Sequence, residues 1–294
     1  QAFMVTGGGA MHLDDALGHQ EGLCCIYDHH EQACAIAAEA YARIHNEIAA
    51  LCVTTGPGGT NAITGVLGGW LDSIPMLVLS GQVRYDTTAR WSGLGIRAMG
   101  DQEFDICKSI DCMTKYSEMV IDPLRIRYCL EKAIYLAYSG RPGPTWLDIP
   151  LDVQGAYVDT EQLVGFDAAD YEAGGTGWAL HTVGLDHTSG AAVFAGATEE
   201  KEKKAVLAGV HGTEGTSVVE PPHAIAEDYA GKGEHRQVLP APVSRKLAKE
   251  IIEKIRNAKR PVLYAGNGIR IAGAFDAFME VADGLGIPAV VGWN

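Results

Sequence analysis

Short apolar runs alternate with helical segments over residues 1–158, and this alternation constrains the fold more than any other feature. The runs "LCCIY" (23–27), "LCVTT" (51–55), "MLVLS" (76–80) and "TWLDI" (145–149) are apolar almost throughout. Such runs are typical of strands in a parallel sheet that is covered on both faces. Helices are predicted between them, near 31–45, 59–70 and 124–139. The sequence therefore predicts an α/β domain with a parallel sheet.

The regular pattern stops after residue 158 and returns near residue 240. Residues 159–239 are rich in Gly, Thr and His without a clear period, which predicts a linker or an insertion. From 240 to 294 a helix with Ser244 as N-cap, a strand, a helix and a strand predict the start of a second α/β domain. Because the sequence stops at Asn294, directly after a strand, we expect a fragment or one of two complementary chains.

Composition and charge narrow the possible partners. The net charge of −14 argues against a nucleic-acid-binding surface, which needs a basic face. The most apolar long stretch (62–81) contains Asp72 and Pro75 and predicts helix, turn and strand instead of a membrane span. The seven cysteines include no C-x-x-C pair, so neither a zinc site nor a disulfide framework is indicated. Free thiols in a reducing cytoplasm are expected.

Three loops lie at the chain start or after predicted strands, where α/β folds bind ligands. They are "VTGGGAMHLDDAL" (5–17), "YDHHEQ" (27–32) and "TTGPGGTN" (54–61). The last precedes a helix, whose N-terminal N–H groups favour anionic or lone-pair groups. It is not a P-loop, because the Gly-Lys-Ser/Thr ending is missing. A second glycine loop, "GNGIRIAG" (266–273), fits a structural turn or a nucleotide loop.

Glu31 stands at the start of the alanine-rich helix "EQACAIAAEAYAR". The helix N-terminus favours its ionised form, whereas a dry pocket favours its protonated form. Such opposing influences suit a carboxylate that handles protons. Helix capping by an N-terminal acid is the structural alternative, and the residues alone leave both open.

The loop sequences resemble those of the thiamin-diphosphate enzymes of the acetolactate synthase group. The resemblance rests on the following segments: "GGGA…DAL" (7–17), "HHEQACAIAAEAYAR" (29–43), "TTGPGGTNAITGVLGGWLDSIPMLVLSGQV" (54–83), "GDQEFDI" (100–106) and "GRPGPTWLDIPLDV" (140–153). It covers roughly residues 3–158 and resumes at 258–274, which is similar to the start of the group's middle domain. The implied organisation is a pyrimidine-binding domain (1–158), the linker or insertion (159–239) and the start of a middle domain (240–294).

The resemblance implies roles for individual residues. Glu31 matches the glutamate that hydrogen-bonds the aminopyrimidine ring and promotes its imino tautomer, which activates the cofactor. Gln102 matches a glutamine that reaches toward the reacting centre. The remaining matched positions line the cofactor: Gly8, Gly9, Pro57 and Asn61.

Three further residues are candidates for binding substrate or a second cofactor. His29 and His30 border the pocket, and each is either a substrate contact or a polar residue bonded to backbone. Arg141 matches an arginine that approaches FAD in flavin-bearing members, so FAD is an optional second cofactor.

The resemblance also implies an enzyme that is incomplete in this chain. Related enzymes hold the cofactor diphosphate through Mg²⁺ with a Gly-Asp-Gly motif, which this sequence lacks. Their site lies between two subunits, so a homodimer or homotetramer is implied, with this chain supplying the pyrimidine half. The implied reaction is decarboxylation and carboligation of 2-oxo acids in the cytoplasm. Without a diphosphate-binding domain, we expect weak cofactor binding and no activity.

Two alternatives stay open. Acetolactate synthases usually have Tyr-Pro before the first glycines and Phe before Gln-Glu, where this chain has Val5-Thr6 before Gly7 and Asp101 before Gln102. These departures motivate a thiamin-diphosphate-dependent decarboxylase or C–C hydrolase of another substrate. The missing Gly-Asp-Gly motif motivates a non-catalytic assembly module that retains the fold.

Overall fold

The central element is a parallel sheet of six strands in the order β2-β1-β3-β4-β6-β5. The structure, a computed structural model, describes residues 1–179 and 243–292. The strands of this sheet are β1 (Ala2–Met4), β2 (Cys25–Tyr27), β3 (Ala49–Val53), β4 (Met76–Gln82), β5 (Tyr116–Met119) and β6 (Pro144–Pro150). The prediction of an α/β domain with a parallel sheet is confirmed.

Helices cover both faces of the sheet. Their bounds are α1 (Met11–His19), α2 (Glu31–His45), α3 (Pro57–Asp72), α4 (Ala89–Ser92), α5 (Ile106–Ile110), α6 (Ile126–Tyr138) and α7 (Leu151–Gln154). One apolar core lies between the sheet and α2, α3 and α5, and the other lies beneath α1, α6 and α7. All seven residues of β4 and of β6 are buried, which explains why these runs are apolar almost throughout.

The alanines of α2 allow this helix to pack closely against α3. Cys34, Ala35, Ala38 and Ala42 are buried along one face of α2. A Cβ atom added at Gly65 of α3 would lie 2.5 Å from the Cβ atom of Ala35, so the two helices meet where both side chains are small. Arg43 of α2 forms ion pairs with Glu39 and with Asp72 at the end of α3.

A polar cluster interrupts the apolar interior between β4 and β6. Asp148 is completely buried and accepts hydrogen bonds from Ser80 Oγ (2.6 Å) and Gln82 Nε2 (3.1 Å). Trp146 Nε1 donates to Ser80 Oγ at 2.8 Å. Burial raises the pKa of Asp148 to about 7, although the bonds from Ser80 and Gln82 act in the opposite direction.

This burial predicts that the protein loses stability as the pH rises from about 4 toward neutrality. Below about pH 4 an Asp carboxyl is protonated in both states, whereas between about 4 and 7 only folded Asp148 keeps its proton. The free energy of unfolding should therefore fall as the pH rises from about 4 to about 7, by about 1 kcal/mol between pH 6 and pH 7, and level off at higher pH. Urea unfolding followed by circular dichroism measures this slope. Asp148→Asn should remove it, and an unchanged slope in that variant would assign the effect to other groups.

Beyond residue 158 the described chain continues to pack on α6. The antiparallel strands β7 (Gly165–Phe166) and β8 (Trp178–Ala179) flank α8 (Ala168–Glu172). Phe166 contacts the rings of Tyr128 and Tyr135 of α6, with centroids 5.8 and 5.4 Å apart. Residues 180–242, which include most of the predicted linker (159–239), lie outside the described residues. The boundaries 1–158, 159–239 and 240–294 therefore stay predictions.

The C-terminal segment contains a two-stranded parallel sheet. Its elements are α9 (Arg245–Asn257), β9 (Leu263–Ala265), α10 (Gly268–Ile271), α11 (Phe275–Leu285) and β10 (Ala289–Val291). Ser244 Oγ accepts a hydrogen bond from the backbone N–H of Leu247, so the predicted N-cap is confirmed. Within the described segments, none of the helices combines the length and the apolar character that a transmembrane span requires.

Candidate active site

The carboxyl ends of β1, β2 and β3 bring the three predicted loops together. These strands are neighbours in the sheet, and β1 lies between the other two. The loop after β1 contains Gly7–Gly9, the loop after β2 leads into Glu31, and the loop after β3 leads into Pro57. The arrangement is the one expected for a ligand site at the edge of a parallel sheet.

Glu31 is half-buried at the first position of α2, and Asn61 lies in the first turns of α3. Asn61 Nδ2 donates a hydrogen bond to Glu31 Oε2 at 3.0 Å. A Cβ atom at Gly58 would lie 3.6 Å from Glu31 Oε1, so the glycine keeps a space open beside that oxygen. The carboxylate is thus fixed through one oxygen, while the other has no hydrogen-bond donor among the described residues.

The glycine loop is held against the loop after β3. The backbone N–H of Gly9 donates to Thr54 Oγ1 at 3.1 Å. Gln154 Nε2 of α7 donates to the Gly9 carbonyl at 2.8 Å from the other side. Gly8 directly precedes Gly9 in the chain and is exposed. Of the two predicted glycines, Gly8 therefore faces open space and Gly9 faces protein.

We expect alanine to destabilise the protein at Gly9 and to be nearly neutral at neighbouring Gly8. A Cβ atom at Gly9 would lie 1.8 Å from Thr55 Oγ1, whereas a Cβ atom at Gly8 would have no atom within 4 Å. Gly9→Ala should lower the free energy of unfolding by about 1–3 kcal/mol through overpacking. Gly8→Ala, the matched control, should change it by less than about 0.5 kcal/mol. Urea unfolding of both variants measures the difference, and equal losses would contradict this packing.

Gln102 reaches the site through its backbone. It adopts a left-handed conformation with φ of +58°, which is uncommon for a residue other than glycine. A Cβ atom at Gly56 would lie 2.0 Å from the Gln102 carbonyl oxygen. The loop that carries Gln102 therefore lies directly on the turn before Pro57, the first residue of α3.

The structure separates the remaining predicted residues. His30 is the N-cap of α2, and its Nδ1 accepts a hydrogen bond from the backbone N–H of Gln32 at 3.1 Å. His29 is exposed at the same loop. Arg141 lies elsewhere: its Nε donates to Ser73 Oγ at 2.5 Å, at the C-terminal end of α3. The part of α3 that follows Asn61 rises about 1.5 Å per residue, which places Ser73 and Arg141 roughly 18 Å from Asn61.

Thr54 and Thr55 lie at the site but are not among the residues that the sequence predicted for it. Thr54 accepts the Gly9 N–H, and Thr55 is buried with an Oγ1 atom that has no hydrogen-bond partner among the described residues. Both follow β3 directly, so the rule that ligand sites lie at the carboxyl ends of strands points to them. Buried polar residues within apolar strands, such as Gln82 and Asp148, are a second sequence feature that indicates a role beyond core packing.

Comparison with known proteins identifies the class of this domain. Residues 1–108 match the family described as thiamine pyrophosphate enzyme, N-terminal TPP binding domain. Residues 248–294 match the family described as thiamine pyrophosphate enzyme, central domain. The chain therefore contains the pyrimidine-binding N-terminal domain of the thiamine pyrophosphate enzymes, followed by part of their central domain.

Within this class, the chain is similar to acetolactate synthase large subunits. It is 40% identical over 153 residues to isozyme 3 of Escherichia coli, which covers 52% of this chain and 25% of that protein. It is 38% identical over 151 residues to the Lactococcus lactis large subunit, covering 51% and 25%. The match to the Corynebacterium glutamicum large subunit is 29% over 289 residues, covering 98% and 34%. The chain thus spans about a quarter to a third of these relatives.

The residues at the carboxyl edge fit thiamin diphosphate. The resemblance implies a glutamate that hydrogen-bonds the aminopyrimidine ring, and Glu31 Oε1 is open for such a bond. The space kept open by Gly58 and Gly8 gives such a ring access to the backbone. The three loops and the N-termini of α2 and α3 converge there, and Gly8 and Gly58 add no side chain to the space.

Proposed function

We propose that this chain supplies the pyrimidine half of an active site for decarboxylation and carboligation of 2-oxo acids, in an acetolactate-synthase-like enzyme. The observation that carries the proposal is the Glu31–Asn61 pair at the carboxyl edge of the sheet, with one carboxylate oxygen fixed and the other open. When bound, thiamin diphosphate supplies the electron sink that allows a bond next to a carbonyl to break.

Glu31 acts in this proposal by holding a proton at Oε1. The hydrogen bond from Asn61 keeps Oε2 in place, so that the proton-carrying oxygen points into the space beside Gly58. A proton-transfer group positioned in this way typically contributes about 10²–10⁴ in rate. Gly8, Gly9, Pro57 and Asn61 would line the cofactor, and Gln102 would reach toward the substrate.

The direct test is turnover of pyruvate by the complete enzyme in the presence of thiamin diphosphate and Mg²⁺. Acetolactate as the main product is the expected result. If the enzyme releases only acetaldehyde, or does not consume pyruvate, the acetolactate-synthase-like assignment fails. Sequence similarity to acetolactate synthase large subunits supports this assignment over the alternatives.

A second substrate class is favoured by one specific feature. Val5-Thr6 and Asp101 replace the residues usual in acetolactate synthases, and Thr6 and Asp101 are exposed next to the glycine loop and to Gln102. A different 2-oxo acid, or a cyclic diketone cleaved by hydrolysis, would contact this changed surface. A panel of such substrates with product analysis separates the two assignments, and acetolactate as the main product from pyruvate would exclude the second.

Mg²⁺ and a second subunit complete the proposed site. No group of three or more His, Cys, Asp or Glu side chains that could hold a metal ion occurs within residues 1–179 and 243–292. We propose that Mg²⁺ binds with the diphosphate on a separate diphosphate-binding domain of a homodimer or homotetramer. Exposed apolar residues on α2 and α3, namely Ile36, Ile44, Leu67 and Leu71, support an interface there. Analytical ultracentrifugation of the complete enzyme tests it, and a stable active monomer would contradict it.

FAD binding and a cytoplasmic location are further proposals. Arg141 is exposed at the end of α3, and its bonds to Ser73 and to the Leu71 carbonyl already give it a structural role. Flavin absorbance in the purified complete enzyme, lost in Arg141→Ala, would support FAD. The location is supported by seven free thiols, four of them buried.

A further inference from the structure

The buried polar cluster of β4 and β6 extends to the loop that carries Gln102. Gln82 and Asp148 are 1% and 0% exposed, and neither belongs to the proposed catalytic set. Polar groups buried to this extent need complete hydrogen bonding to be tolerated. Both oxygens of Asp148 meet donors, Ser80 Oγ at Oδ1 and Gln82 Nε2 at Oδ2.

The side-chain amide of Gln82 has a single fixed orientation. Its Oε1 accepts the backbone N–H of Val83 at 3.0 Å, which places Nε2 on the opposite side. Nε2 then donates to Asp148 Oδ2 at 3.1 Å and to the Phe104 carbonyl at 2.9 Å. Asp148 therefore orients the Gln82 amide. The second hydrogen bond of that amide joins the sheet to the loop at Phe104.

Phe104 lies two residues after Gln102, and its side chain is 39% exposed. The loop is thus anchored here through its backbone and not through a buried side chain. Glu103 and Asp105 fix its flanks on α4, through the Ala89 N–H (2.7 Å) and Arg90 (2.7 Å). Gln82 connects this loop to the sheet through the Phe104 carbonyl, two residues from Gln102.

We propose that Gln82 and Asp148 are positioning residues that fix the loop 100–105 and thereby place Gln102 against the turn at Gly56. This inference rests on the proposed function for the role of Gln102, whereas the ordering of the loop rests on the hydrogen bonds alone. The left-handed conformation of Gln102 requires support from its surroundings, and the Gln82–Phe104 bond provides it.

The first experiment measures the loop without using activity. Hydrogen exchange of the backbone amides at 100–105 is compared in the complete enzyme between wild type, Gln82→Met and Thr145→Val. Gln82→Met keeps the length of the side chain and removes the amide. Thr145 is equally buried, at the opposite end of β6, and its Oγ1 bonds the Met76 carbonyl. Faster loop exchange in Gln82→Met but not in Thr145→Val is expected, and equal exchange in all three proteins would overturn the proposal.

The second experiment asks whether Gln82 acts through Gln102. Gln82→Met should lower kcat for pyruvate about tenfold, and combining it with Gln102→Ala should add less than about twofold to the effect of Gln102→Ala alone. A full tenfold loss in the Gln102→Ala background would overturn the positioning role. If Gln82→Met does not fold, Asp148→Asn serves as second variant, because its amide can no longer accept both donors and should reproduce the faster loop exchange.

The two experiments separate this inference from the proposed function. Faster loop exchange together with an unaffected turnover in Gln102→Ala would leave the positioning of the loop intact and remove the catalytic role of Gln102. Unchanged loop exchange in folded Gln82→Met would reject the positioning of the loop, whatever the enzyme turns over.

Discussion

Glu31→Gln should lower the turnover of pyruvate by the complete enzyme by about 10²–10⁴-fold, the typical contribution of one positioned proton-transfer group. Glutamine keeps the size of the side chain and can still bond Asn61, but it cannot hold the transferable proton at Oε1. Loss of one negative charge at the first turn of α2 costs only about 0.3–1 kcal/mol of stability. The protein should therefore stay folded while it loses activity. Exchange of the C2 proton of thiamin diphosphate should slow in parallel.

Glu39→Gln is the matched control, because Glu39 lies two turns further along the same helix. Its carboxylate accepts a hydrogen bond from Arg43 Nε at 2.9 Å and is remote from Asn61. This variant should lose no more than about 1 kcal/mol of stability and should retain full turnover. Wild-type turnover or C2 proton exchange in Glu31→Gln would show that Glu31 only caps α2. Equal losses in both variants would assign the effect to the helix instead of the proposed proton transfer.

The sequence predicts long, strongly patterned elements well and short ones poorly. Helix α2 begins and ends as predicted, at 31 and 45, because Glu31 and the apolar period mark both ends. Strands β1 and β5 were not predicted: β1 has three residues, and β5 ("YSEM") carries polar residues at its centre. Their place in the sheet depends on pairing with β3 and β6, which is a tertiary property.

In the candidate site, too, local sequence patterns predict some features, whereas others depend on tertiary contacts. Loop position at the carboxyl ends of strands placed Glu31, Asn61 and the glycines near one another, and the structure joins Glu31 to Asn61 directly. Which oxygen of Glu31 is held, and which glycine faces the open space, depends on contacts between loops that are far apart in sequence. The link from Asp148 through Gln82 to Phe104 spans 66 and 22 residues, so no local pattern reveals it.

Gly56→Ala should be the most disruptive single substitution in the loops of this site. Gly56 has φ of +55°, which costs a residue with a Cβ atom about 1–2 kcal/mol. Its Cβ atom would also lie 2.0 Å from the Gln102 carbonyl, a backbone atom that cannot rotate away. The two effects together should lower the free energy of unfolding by about 3–5 kcal/mol. They should also displace Gln102, so turnover should fall even at temperatures where the variant remains folded.

Gly68→Ala tests whether this loss is specific to the turn. Gly68 lies within α3, and a Cβ atom there would have no atom within 4 Å. Alanine should therefore stabilise the protein by up to about 1 kcal/mol, the difference in helix propensity, with turnover unchanged. Urea unfolding and pyruvate turnover of both variants measure these opposite signs. A Gly56→Ala protein with wild-type stability would mean that the 100–105 loop does not rest on the turn before α3, and the support proposed for Gln102 would then be lacking.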